Sequence, residues 1–184
     1  MRRLLRRGRV PEEVLRRVDL AGQRVLAHAN ATDGTWLLGT REALVVVRPF
    51  DELKSPPAEP IRLAWEDIET ADWERDGDRL RVAEVGTFGE RRPVHVFTVP
   101  EPGLLLQLIR ERVTASVLLQ RRVVVRGKRG LMVIARRAPT GRGEITWAFE
   151  FDEDVDPDDP AVSEAAERGL RAAQDELGAG PQPI

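Results

Sequence analysis

The sequence predicts an α+β protein: an antiparallel bent sheet or barrel closed by an amphipathic helix, followed by a small antiparallel β-β-β-α unit. Three observations predict it. Short apolar runs separated by turn residues fill residues 23–99. Residues 101–119 switch to a helical period, and a strand pattern followed by a second helical stripe returns after residue 120. At 184 residues the chain has room for one domain or two small ones, and a 41% hydrophobic content is enough to build a core.

The elements follow in order. In the arm, Pro11 ahead of Glu12 and Glu13 suits a first helical turn, since proline lacks the donor a helix start leaves unused and acids complement the helix dipole. This predicts a short helix over 11–18. Its apolar partners Val14, Leu15 and Val18 suit packing on the rest of the chain better than lying on a membrane surface. A strand is expected over 24–30, ended by the turn Thr32-Asp33-Gly34-Thr35. Strands follow at 36–39 and 43–47, joined through Thr40-Arg41-Glu42. Pro49 to Pro60 contains Pro56-Pro57 and reads as an exposed loop, because proline cannot donate to a ladder. Residues 61–65 resume a strand, Glu66-Asp67-Ile68 bends into another that runs through Trp73, and Asp76-Gly77-Asp78 turns into a strand at 80–85. A last strand lies at 94–99.

Over 101–119, Leu105, Leu108, Ile109, Arg112, Val113, Ser116 and Val117 share one helical stripe. Beyond it, 123–125 and 131–135 flank Arg126-Gly127-Lys128-Arg129-Gly130, a hairpin with two glycines for its turn. Ile145, Trp147, Phe149 and Phe151 share one strand face. Asp159 is placed to cap a helix whose first residue is Pro160, with Val162, Ala165, Ala166, Gly169, Leu170, Ala173 and Leu177 as its apolar stripe. The expected organisation is a basic arm (1–22), a first unit (23–119), a second unit docked on it (120–177) and a frayed tail (178–184). The four tryptophans, Trp36, Trp65, Trp73 and Trp147, are candidates for core or interface, with core favoured.

The stretch Ile61-Arg62-Leu63-Ala64-Trp65-Glu66-Asp67-Ile68-Glu69, preceded by Trp36-Leu37-Leu38-Gly39-Thr40-Arg41 and Leu44-Val45-Val46-Val47, resembles the pleckstrin-homology-like (PH-like) and GRAM-like domains of bacteria. The whole chain also resembles a conserved actinobacterial group that contains such a domain. The likeness covers roughly residues 23–119 and rests on pattern. Lipid-binding members of the superfold carry a basic cluster between their first two strands. Here that loop, Asn30 to Thr35, holds Asp33 and neither Arg nor Lys, which argues against phosphoinositide-type headgroup binding there.

The net charge of -2 conceals segregated blocks. Residues 120–143 hold eight basic side chains and no acid, whereas residues 150–176 hold eleven acids against Arg168 and Arg171. Such blocks either neutralise each other, within one fold or between subunits, or leave a basic surface open to an anionic partner. Arg121, Arg122, Arg126, Lys128, Arg129, Arg136 and Arg137 are the candidate anionic-partner surface. Nucleic acid is the less favoured partner, because the sequence pI is about 5.8 and no aromatic interleaves the cluster to stack on bases. An anionic membrane surface could be reached through the arm and the hairpin.

Chemistry is sparsely provided. The chain has no Cys and no Tyr, which removes thiolate nucleophiles and Cys-ligated zinc, and Ser55, Ser116 and Ser163 lie in no Gly-x-Ser-x-Gly. His28 and His95 form no metal-ligand pair at helical spacing. The glycines of 126–130 are too closely spaced for a phosphate-binding loop, and a strand follows where a helix is needed. The acids of 152–159 fail as a calcium loop, since Pro157 takes the glycine position and Ser163 that of the bidentate Glu. No catalytic residue, metal or cofactor is expected. No apolar run approaches a membrane span, and Met1 to Val10 lacks a leader's apolar centre, so a cytoplasmic location is expected. The reading favoured by the sequence is a non-enzymatic interaction module that binds a protein partner or its own copy.

Overall fold

A computed structural model describes residues 9–49, 58–86 and 92–178. The first eight residues of the arm, most of the Pro49–Pro60 loop and the tail beyond Gly178 lie outside the described residues. The fold is α+β, with three antiparallel sheets and three helices among the described residues.

The first sheet is a four-stranded meander of β1 (Ala27–Asn30), β2 (Trp36–Gly39), β3 (Ala43–Val47) and β4 (Ile61–Ala64), each strand paired with the next. Gly34 takes φ 83° in the β1–β2 turn, while the Asp33 carboxylate accepts from the Thr35 N–H at 2.9 Å. Thr40 organises the β2–β3 turn. Its hydroxyl accepts from the Ala43 N–H at 3.1 Å and donates to the Ala43 carbonyl at 3.0 Å. All five residues of β3 are buried because both faces of this sheet are covered. One face packs on the main core. The other, with Leu38, Val45 and Val47, meets Val10 and Val14 of the arm, whose helix α1 is Glu12–Arg16.

A single 3-10 turn, Trp65–Asp67, bends the chain into the second sheet. This is β5 (Ile68–Glu74), β6 (Arg79–Glu84) and β7 (Val94–Thr98), again a meander. In the turn between β5 and β6 it is Asp78 that takes positive φ, at 48°, and not Gly77; a short polar side chain tolerates that region better than most. Helix α2 (Leu105–Ser116) then crosses both sheets and inserts Leu105, Leu108 and Ile109 into their shared core, beside Leu37, Leu44, Trp65, Ile68, Leu80 and Val82.

The expected barrel is corrected in this respect: no closed barrel is found among the described residues. Among the described residues the two sheets are separate ladders joined by loop hydrogen bonds, such as Thr32 N–H to the Thr98 carbonyl at 2.9 Å. The second correction concerns the helix. Val117, expected on its stripe, is the first residue of β8 (Val117–Arg126), so α2 passes into a ten-residue strand with no connecting residue. The expected unit boundary at 119/120 therefore falls inside a strand.

The third sheet has β9 (Arg129–Arg136) at its centre, between β10 (Thr146–Phe151) and β8. Gly127 alone serves the hairpin turn, with φ 61°; Gly130 lies in β9 opposite Val124. Ile145 precedes the strand in which Trp147, Phe149 and Phe151 share a face. That face, with Leu131 and Val133, buries Val162, Ala166, Leu170 and Ala173 of α3 (Pro160–Leu177). Asp159 caps α3, accepting from the Ala161 N–H at 2.9 Å. Each tryptophan packs on a core cluster, Trp65 fully and the other three in part.

Candidate functional site

The seven basic residues of the candidate surface do not form one surface. Arg121 and Arg122 lie on opposite faces of β8, because successive strand residues alternate. Arg121 reaches Glu176 of α3 at 2.9 Å. Arg122 makes a two-pronged contact with Asp152, one arm at 2.7 Å, and its Nη2 also donates to the Lys128 carbonyl at 3.0 Å. Arg129 faces Asp154 at 3.4 Å. Arg126, Lys128 and Arg137 have no acidic partner among the described residues, and the first two sit exposed at the hairpin tip.

Arg136 is 4% exposed and faces the interior. Its two Nη groups donate to the Ser116 hydroxyl and the Glu69 carbonyl, both at 3.1 Å, so it joins β9 to the end of α2 and to β5. Burial lowers its pKa, with the neighbouring Glu69 and Glu150 charges opposing that shift. Glu69 itself grips Arg92 at 2.6 and 2.7 Å, yet its pKa is raised, because desolvation outweighs the Arg92 charge. Neither the Arg136 junction nor the Glu69–Arg92 pair could be singled out from sequence.

The acidic run is occupied with structural work. Asp152 also accepts from the Gly130 N–H at 2.8 Å, and Asp156 accepts from the Asp158 N–H at 3.0 Å. The hydrogen bond from Arg122, aided by the Gly130 N–H, lowers the Asp152 pKa from 3.8 to about 2. A depressed carboxylate pKa contributes stability that is present above 3.8 and is lost as pH falls through about 2. The stability difference between the native chain and Asp152→Asn is thus expected to hold constant down to pH 3.8 and to narrow toward pH 2. Urea midpoints across that range measure it; a difference that stays flat would refute the clamp.

The two histidines are far apart in role. His28 on β1 packs against Trp36, with ring centroids 5.9 Å apart. His95 on β7 places Nε2 2.6 Å from Glu84 and stacks on Phe97. Among the described residues, no group of three or more His, Asp or Glu side chains could hold a metal ion. No described helix is long and apolar enough to cross a membrane.

A feature absent from the sequence reading is a cleft of about 410 Å³ between the edge strand β5 and α2. Ala71, Trp73, Leu80, Leu106, Ile109 and Val113 supply its apolar lining, and Glu69, Asp72 and Arg110 its charges. The two acids are taken, Glu69 by Arg92 and Asp72 by Arg81 at 4.0 Å. Arg110 has no acidic partner among the described residues. The amphipathic period of α2 showed which side chains would enter the core, but not that the helix axis would leave a gap over β5.

Comparison with protein-family models, with curated proteins and with solved structures finds no match for this chain.

Proposed function

We propose that the chain is a non-enzymatic interaction module built on a PH-like architecture, and that it takes an extended, acidic segment of a partner protein in the cleft beside β5. The order of elements supports the architecture: a four-stranded meander, a three-stranded meander, then a helix laid across both. The observation that carries the function is an apolar cleft of about 410 Å³ beside β5, a terminal strand that past the Glu69 carbonyl, taken by Arg136, has no outer ladder partner among the described residues. A strand edge offers unpaired backbone donors and acceptors to an added strand, and the flanking groove gives the added side chains pockets. The acids in the wall are already paired, so the remaining charge, Arg110, favours a carboxylate on the occupant.

The experiment selects binders from a random peptide library on the full chain and maps the best by amide shifts. Shifts confined to residues 69–74 and 106–114 are expected. Arg110→Glu is expected to weaken binding at least about tenfold, on the scale of one lost charge-assisted contact, and Thr114→Trp, which fills the cleft, to abolish it. Shifts centred on Arg126 and Lys128 would instead favour contact between the hairpin and an anionic lipid or nucleic acid, and the cleft reading would fail.

A further inference from the structure

Strand β7 ends the second sheet at the edge opposite β5, and its sequence, Val94-His95-Val96-Phe97-Thr98, carries no Asp, Glu, Lys or Arg. Soluble proteins guard sheet edges with charges, bulges, proline or short strands, because an unguarded edge templates pairing with another chain. The edges of β4, β8 and β10 follow that rule: β4 carries Arg62, β8 three arginines and β10 Glu150. β5 borders the cleft, and its acids Glu69, Asp72 and Glu74 are each paired with an arginine. β1, the other uncharged edge, buries both its alanines and exposes Asn30. β7 instead exposes Val94 at 43% and Val96 at 56%, side by side on one face.

The charge layout around those valines fits a second copy. On the neighbouring strand Arg81 lies opposite Val96 and Arg79 opposite Thr98. Each arginine is matched on the far side by an acid of β5, Arg79 with Glu74 at 3.1 Å and Arg81 with Asp72 at 4.0 Å. The face therefore runs from acid to base to apolar edge. An antiparallel partner across a two-fold axis would bring valine against valine, with no unmatched like charges at the seam. The Thr98 carbonyl already accepts from Thr32, which marks where the edge left unpaired among the described residues stops.

We infer that β7 pairs antiparallel with β7 of a second copy, joining two three-stranded sheets into one of six strands. This does not depend on the cleft at β5, which lies on the other edge of the sheet.

Sedimentation of the full chain over a range of concentrations tests it. A reversible monomer–dimer equilibrium is expected. Val96→Lys should hold the chain monomeric at every concentration, whereas Val124→Lys, at the still more exposed hairpin valine, should leave the dimer intact. A chain without cysteine also permits a single spin label: Arg81→Cys bearing a nitroxide leaves β7 itself unaltered. Dipolar broadening that appears on concentration and disappears on dilution is expected. A chain that stays monomeric throughout would overturn the inference. So would a dimer that Val124→Lys abolishes, or one that shows no broadening between the labels.

Discussion

Replacing Trp65 by alanine is expected to destabilise the protein by about 3–5 kcal/mol, the range for deleting a large buried aromatic. Trp65 is 0% exposed and stands where three elements meet: the end of β4, the 3-10 turn and the inner face of α2. Its indole N–H donates to the Thr40 carbonyl at 3.3 Å, so truncation also strips a partner from a buried acceptor in the β2–β3 turn. Phenylalanine keeps much of the volume but not the donor, and should cost clearly less than alanine. Urea unfolding of both variants measures this; equal losses would show that the volume phenylalanine restores contributes nothing there.

Gly130→Ala is the second large effect, at about 3 kcal/mol, the upper range for a group forced into a packed site. A Cβ on Gly130 would collide with the Val123 carbonyl oxygen, a backbone atom that cannot rotate aside. Relief requires β8 and β9 to part at Val124↔Gly130. The same movement disturbs the Gly130 N–H to Asp152 bond at 2.8 Å and the Asp152 N–H to Gly130 carbonyl bond at 3.0 Å, which tie the acidic segment to the sheet. For a chain of this length the loss corresponds to a fall in Tm of roughly 6–12 °C. Gly127→Asn, in the hairpin turn itself, is the control. Its φ of 61° is one that asparagine adopts, and a Cβ there meets nothing. Calorimetry on the pair should show a large fall for the first variant and a small one for the second; the reverse order would mean that the turn, and not the close approach at Gly130, is what demands glycine.

The sequence reading located the strands because each carries its own alternation and its own punctuation. Asp33-Gly34 closes one hairpin, and Asp159-Pro160 opens α3 where capping chemistry required. Where it went astray, the deciding force came from a distance. Val117 continues the stripe of α2 as well as it begins β8, and only its pairing opposite Arg136 makes it a strand residue. Gly130 and Gly127 look alike in a glycine-flanked turn, and cross-strand register separates them. The same limit applies to the basic cluster. Arg136 and Arg137 are identical neighbours in sequence, yet the pleat buries the first between Ser116 and Glu69. Arg121 finds its counter-ion 55 positions away on α3. Counting charges favoured neutralisation of the two blocks, within one fold or between subunits; which of these, and which pairs, needed the fold. The cleft is less legible still, because it is a space defined by how one helix lies across a sheet edge.

The direct passage of α2 into β8 has a mechanical consequence. A loop would act as a hinge and let the helix tilt without disturbing the third sheet, but here the helix and the strand form a bent lever with no slack. At about 3.3 Å per residue the ten residues of β8 extend roughly 30 Å from the fulcrum at Ser116–Val117. A tilt of about 10° would sweep the hairpin tip through roughly 5 Å at that reach. Arg136 stands opposite Val117 in the ladder, beside the fulcrum, and bonds to Ser116 at the end of α2 and to the Glu69 carbonyl of β5. It opposes such a swing as a latch, because a displaced α2 would stretch the Arg136–Ser116 bond.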